Sequence, residues 1–506
     1  MKVYIFAIGG TGARVLRSLA YCLASGMQRI PNGTSFIPMI IDYDKTNGDK
    51  LRTERVLTAY RQVRQFAYNG VTPDADDRSF FMPAIESLNG DGNFEFVFGA
   101  DAAATRHSFS DNIGYTDMIG PTSLTRDLLA SLYNDEQGTD PTGKDNPMAE
   151  LNLNLSVGFR GNPNIGSLVF ESLKKTPEFQ QFKRQFDPAQ DRVFIVSSVF
   201  GGTGSSGFPR IVDAIRKDGT TGYNTCPIGA SIVLPYYDVA TPQAGGAINS
   251  QIFNSKEKAA LSYYNVSQLF QRITRSYFVG DSERTTLDYS EGSDTQLNDA
   301  HFAELLAALA VVDFASTPDV EQLGQQLDYG ISANKADTDP LTLRELGRGE
   351  VKDSYQYLAR MAVAFRYYRE WVCTDAIPAK TAYYAKMGLA DKLETEMFQP
   401  LDIFTHDFDS WLDELAAQKD LFKPFLQKPR DAASQQPVAD DLNDYLNGYD
   451  AKTGGMFSSG CSYKDFDSYA NKYYQKYGAS EQNADYALLT MYYDAAADCY
   501  SSYKPV

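Results

Sequence analysis

Residues 3–8 (VYIFAI) form an unbroken apolar run rich in aromatic and β-branched side chains, which suits a strand buried on both faces. A glycine turn follows at once, and residues 13–25 then place apolar side chains at helical spacing. A second buried strand is predicted over 36–41, ending in Asp42-Tyr43-Asp44, and a charged amphipathic helix over 50–66. From 67 to 150, Asp, Asn, Gly and Pro punctuate the chain so densely that an insertion of loops and short elements is predicted, with one strand over 94–98. Alternation over 152–159 predicts a further strand, 167–186 a helix, 192–199 a buried strand, 208–217 a helix, and 227–234 and 275–279 two more strands. Buried strands alternating with helices imply a largely parallel α/β sheet covered on both faces. Residues 298–314 are apolar on nearly every side, as a buried central helix requires. Helices are also predicted over 355–376 and 380–397, and the Tyr-, Asp- and Lys-rich remainder reads as helices with a mixed surface. The division that results is a nucleotide-type α/β domain over 1–297, the central helix, and an α or α+β C-terminal domain over 315–506.

Composition narrows the partners. With 65 acidic and 47 basic residues the net charge is −18, and no basic stripe stands out, so a nucleic-acid backbone would be repelled. No stretch approaches the ~20 apolar residues that span a bilayer, and the N-terminus lacks a leader's length and cleavage site, so no membrane insertion and a cytoplasmic location are expected. The 5 cysteines are scattered singly, which reads as reduced thiols. The 33 Tyr and 30 Phe permit extensive interfaces.

The chemistry lies in two strand–glycine loop–helix units. Gly9, Gly10, Thr11 and Gly12 follow the first strand; Gly201, Gly202, Thr203, Gly204 and Ser205 follow the strand at 192–199. Glycine lets a backbone approach a ligand closely, and the amides of the next helix then face phosphate oxygens. Neither loop carries the lysine of a P-loop. A dinucleotide fingerprint starts at Gly10 but lacks its third glycine; in that reading Asp42 or Asp44 binds a ribose and the protein is an NAD enzyme. Gly204-Ser205-Ser206-Gly207 has the wrong spacing for a hydrolase elbow. The histidines His107, His301 and His406 are too far apart for a zinc site, and His301 beside Glu304 reads as a satisfied core histidine.

The run RVFIVSSVFGGTGSSGFPRIVDAI resembles the strand, loop and helix of tubulins and FtsZ, whose pattern is G-G-G-T-G-[ST]-G. Gly201 to Ser205 match it, whereas Phe200 and Ser206 replace its outer glycines. Gly161-Asn162-Pro163-x-x-Gly166 is similar to that family's γ-phosphate loop, and Ile8 to Gly12 to its first nucleotide loop. The likeness runs over about 1–315 apart from 67–150, and is nearest to divergent bacterial tubulin-like proteins. It implies a GTP/GDP-binding protein that self-associates into filaments, with a non-polymerising nucleotide-binding switch as the alternative. Gly9, Gly10, Thr11, Gly12, Gly161, Asn162, Gly201, Gly202, Thr203, Gly204 and Ser205 would surround the phosphates. Asp42 and Asp44 would approach Mg²⁺ or the ribose, unless they only turn the chain at a strand end. Asn298 would meet the guanine or merely cap the central helix. The family's acidic loop N-x-D-x-x-D is missing after Phe314, where Asp319 and Glu321 are the acidic candidates, so efficient GTP hydrolysis is not implied.

Overall fold

A computed structural model describes residues 1–44, 46–74, 76–96, 159, 163–239, 250–281, 285–287, 294, 296–317, 354–374, 382–393, 397–418, 422, 424, 462–478 and 483–502. The first half alternates strand and helix: β1 (Lys2–Ile8), α1 (Gly9–Ala24), β2 (Ser35–Ile41), α2 (Gly48–Ala67) and β3 (Ala84–Ile85). After a gap come α3 (Pro163–Val169), α4 (Pro177–Gln185), β4 (Arg192–Ser198), α5 (Gly202–Arg216), β5 (Ile228–Val233), β6 (Tyr237–Val239), α6 (Ser250–Val266), β7 (Arg275–Val279), β8 (Thr285–Leu287) and α7 (Phe302–Ser316). Six strands form one sheet in the order β3-β2-β1-β4-β5-β7, every pairing parallel; β6 and β8 form a separate parallel pair. Counted along the chain, the sheet members run 3-2-1-4-5-6, the order of a doubly wound fold.

The continuous apolar runs follow from this placement. Val3, Ile5 and Ala7 point to one core, beneath α1, α2 and α7, while Tyr4, Phe6 and Ile8 point to the other, beneath α3, α4 and α5. Each fully buried Val, Ile or Phe contributes roughly 1.5–3 kcal/mol, so a polar residue on either face of β1 would be costly. The remaining helices, α8 (Ser354–Tyr367), α9 (Ala382–Met387), α10 (Leu389–Lys392), α11 (Phe398–Ala417), α12 (Tyr463–Tyr477) and α13 (Ala484–Ser502), join the first core. Trp411, Phe404 and Tyr492 share it with Leu16 and Tyr21. The described C-terminal helices therefore have no apolar cluster apart from the α/β part.

Several expectations need correction. Helix 167–186 is broken: a 3-10 turn over Phe170–Lys175 ends at Thr176, whose hydroxyl caps α4, with Pro177 in the first turn. Helix 380–397 splits at Gly388, whose φ of +64° breaks the ladder. The central helix starts at Phe302, four residues later than 298, because His301 and Glu304 form a capping box there. Within the expected insertion, Ala84 and Ile85 extend the sheet beside β2, and Phe94 and Phe96 bond to Ile40. Residues 97–150, with the end of the strand expected at 94–98, lie outside the described residues, as does 152–158. The C-terminal helices do have a mixed surface: Tyr463, Tyr486, Tyr492 and Tyr493 are buried, whereas Lys464, Lys472 and Lys476 are exposed. Cys22, Cys226 and Cys373 are free thiols, as expected, but Cys499 is disulfide-bonded. Among the described residues no helix is long and apolar enough to cross a membrane.

Candidate functional site

The helices after β1 and β4 leave on opposite faces of the sheet, because α1 packs in the first core and α5 in the second. Between two such neighbouring strands the sheet opens a crevice at its carboxyl ends, where doubly wound folds take ligands. Both glycine loops lie there. A methyl group on Gly9 would sit 3.5 Å from the Thr203 Cβ and 4.0 Å from the Gly204 nitrogen, so the loops face each other across the crevice with about the width of a methyl between them.

Each loop is shorter than the pattern suggested, since the helix begins within it. α1 starts at Gly9 and α5 at Gly202, neither has a side-chain cap, and neither holds an acidic residue in its first turn. Two uncapped helix starts thus present their orphan amides and the positive ends of their dipoles to one place. Gly9 has φ +70°, which only glycine adopts without strain. Gly12 and Gly204 serve packing instead. A methyl on Gly12 would lie 2.5 Å from the Ala7 carbonyl carbon, and one on Gly204 would lie 2.6 Å from the Ser198 carbonyl oxygen. These two glycines bring each helix tight against its own strand.

Thr11 is buried at 6% exposure and Thr203 is half-buried. Ser205, expected at the phosphates, donates its hydroxyl back to the Gly201 carbonyl at 2.5 Å, and Ser206 donates to the Gly202 carbonyl at 2.7 Å. Their side chains close the helix on itself, and the Ser205 amide also donates to the Gly201 carbonyl, at 3.2 Å, so both Ser205 donors are engaged inside the helix. Pro209 removes the amide that would bond the Ser205 carbonyl, and the Tyr264 hydroxyl donates to that oxygen instead, at 2.8 Å.

Around Gly10 stand three nitrogen-bearing side chains that the sequence reading did not single out. A methyl there would lie 3.7 Å from Arg14 Nη1, 3.7 Å from Asn47 Nδ2 and 3.9 Å from Gln296 Nε2. Asn47 caps α2 by accepting from the Lys50 amide and donates to Gln296 Oε1 at 2.8 Å. Arg14 pairs with Glu304 (2.5 Å) and Asp49 (2.7 Å) and donates to the Tyr236 hydroxyl. A signal for Arg14 was present: with Arg17 it is one of two charged residues in an otherwise apolar helix, and buried charge demands partners.

Asp42 and Asp44 are both buried at the end of β2. The Asp44 amide donates to Asp42 Oδ1 at 3.1 Å, and the Thr46 amide and hydroxyl donate to Asp44 Oδ1 at 3.0 Å. These are turn contacts, as the simpler expectation had it. Burial pushes the Asp42 carboxyl up to about 7, against the pull of the Asp44 and Tyr43 amides. Among the described residues no three His, Cys, Asp or Glu side chains gather for a metal ion. The Asp44 carboxylate is engaged by Thr46.

Asn298 lies outside α7 and does not cap it. Its side-chain amide donates to Asp49 Oδ2 and its backbone amide to Asp49 Oδ1, both at 3.1 Å. His301 caps the helix instead, Nδ1 accepting from the Ala303 amide at 3.1 Å. Burial and the neighbouring Arg14 hold this imidazole down to about 4, so it is neutral at pH 7, a satisfied core histidine as expected. Gly161, Asn162, Asp319 and Glu321 lie outside the described residues. The helix after the first pair, α3, packs against the second glycine unit, with Gly166 directly on Ser206.

No family model, no curated protein and no solved structure matches this chain.

Proposed function

We propose that the crevice between β1 and β4 binds the phosphates of a nucleotide, and that the protein is a tubulin/FtsZ-like GTP-binding protein that assembles in a nucleotide-dependent way. The observation that carries the phosphate site is the meeting of two uncapped glycine-led helix starts at the switch point of a doubly wound sheet, Gly9 against Thr203. Guanine as the base, and filaments as the outcome, rest on the resemblance of Gly201 to Ser205 and of the Gly161-Asn162-Pro163 run. A second reading has its own support: Asp42 stands at the end of β2, where a dinucleotide enzyme places its ribose-binding acid.

Calorimetric titration with GTP, GDP, ATP and NAD⁺ separates the two. Guanine-nucleotide binding that is lost in Gly10→Ala is the expected result; NAD⁺ binding lost in Asp42→Asn would favour the dinucleotide enzyme. Sedimentation then tests assembly. Pelleting with GTP and not with GDP is expected, and a monomer under both conditions would leave a non-polymerising switch.

A further inference from the structure

Helix α1 carries the first glycine loop at its start and two buried arginines in its next turns. Arg14 ties it to α2 and α7 through Asp49 and Glu304. Arg17, 1% exposed, ties it to the C-terminal helix α11, with Asp407 at 2.7 Å and Glu414 at 2.7 Å. Tyr21 adds a 2.5 Å bond to Asp407, and Trp411 Nε1 donates to Ser18 Oγ at 3.2 Å. The two sets are joined. Arg52 on α2 bridges Asp49 at 3.2 Å and Glu414 at 2.8 Å, and donates to the Asn298 carbonyl at 2.7 Å. Glu414 also accepts from the Ala300 amide at 2.8 Å, just before α7, and Arg55 reaches Asp407 at 3.3 Å. A continuous chain of ion pairs therefore runs from Arg14, one turn beyond Gly10, to α11.

Such a chain transmits position. Buried ion pairs hold only at good geometry, since an opened pair leaves charges that have lost their water. A small shift of α1 along the sheet must lengthen the Arg14 pairs, the Arg17 pairs or both. A phosphate on the amides of Gly10 to Gly12 would fix the first turn of α1, and with it the Arg17 clamp two turns on.

We propose that ligand binding at the glycine loops and docking of α11 are thermodynamically linked, with Asp407 and Glu414 acting as positioning residues for the phosphate site. This rests on the nucleotide reading above. By reciprocity, whatever loosens α11 weakens the ligand by the same factor that the ligand tightens α11.

Trp411 is a built-in reporter, because the chain has 2 Trp and Trp371→Phe leaves it alone. The full-length Trp371→Phe protein is titrated with GTP while heat and Trp411 emission are both recorded. Hydrogen exchange over 398–417 is measured with and without GTP in the unsubstituted chain. The expected result is an emission change that saturates with the heat, slower exchange in α11, and GTP binding at least about fivefold weaker in Glu414→Gln. Heat with no change in Trp411 emission or in α11 exchange overturns the linkage and leaves the nucleotide site standing. Absence of heat with GTP and with NAD⁺ overturns the nucleotide reading, and the linkage falls with it. If Glu414→Gln does not fold, exchange in the unsubstituted chain decides.

Discussion

Gly10 and Gly12 sit two residues apart in one loop, yet a methyl group should do opposite things at each. At Gly12 it would land 2.5 Å from the Ala7 carbonyl carbon and 3.0 Å from its Cα, backbone atoms of the strand at the middle of the sheet. Carbon atoms rest at about 3.5–4.0 Å, so α1 must withdraw by roughly 1 Å. Overpacking of this kind costs about 1–3 kcal/mol. At Gly10 the nearest neighbours of the methyl are at 3.7 Å, ordinary contact, and the backbone is helical. Gly→Ala at such a site stabilises by about 0.4–1 kcal/mol, through the unfolded chain. The methyl nonetheless stands over the amides that a phosphate must approach to about 2.9 Å, and a carbon holds an oxygen off at roughly 3.3 Å. Urea unfolding and calorimetric titration of both variants separate packing from binding. Gly12→Ala should unfold at lower urea; Gly10→Ala should unfold at equal or higher urea and lose nucleotide binding. Equal loss of stability in both, or full binding by Gly10→Ala, would refute the division of labour between these glycines.

Three further outcomes follow from the same geometry. Arg14→Met leaves the buried Glu304 carboxylate without its cation, while Asp49 keeps Arg52, and should cost about 3–5 kcal/mol, with part regained in the double variant carrying Glu304→Gln, read by urea midpoints. Tyr264→Phe leaves the Ser205 carbonyl beside Pro209 without a donor and should cost about 1–3 kcal/mol in the same assay. Asp42, with its carboxyl raised to about 7, binds its proton more tightly folded than unfolded. Stability should therefore fall as pH rises from about 4 to about 7, by on the order of 4 kcal/mol at 1.36 kcal/mol per pKa unit. Asp42→Asn should flatten that slope in thermal melts taken from pH 4 to 8; an unchanged slope would place its origin elsewhere.

The alternation of buried strands and helices was legible because the central strands are covered on both faces, so that a run such as 3–8 carries no charged or small polar side chain. The two glycine loops were legible for a related reason, since tight turns and close backbone approach leave few residue types to choose from. Helix ends were less so. The break at Thr176-Pro177 and the capping box at His301 are written in local residues, but an apolar pattern that runs straight through them hides them. Tertiary structure alone decided which glycines stand clear of neighbouring backbone and which lie against a strand, because Gly10 and Gly12 differ in what the fold puts beside them, side-chain nitrogens at 3.7 Å or more in one case and the Ala7 backbone at 2.5 Å in the other. It alone turned the Ser205 hydroxyl inward and carried Asn298 to Asp49 rather than to the cap of α7. It alone matched Arg17 with Asp407 and Glu414, nearly four hundred residues along the chain. A sequence shows that a buried charge must have a partner; only the packed chain selects which one, since partner choice is a matter of distance in space and not of position along the chain.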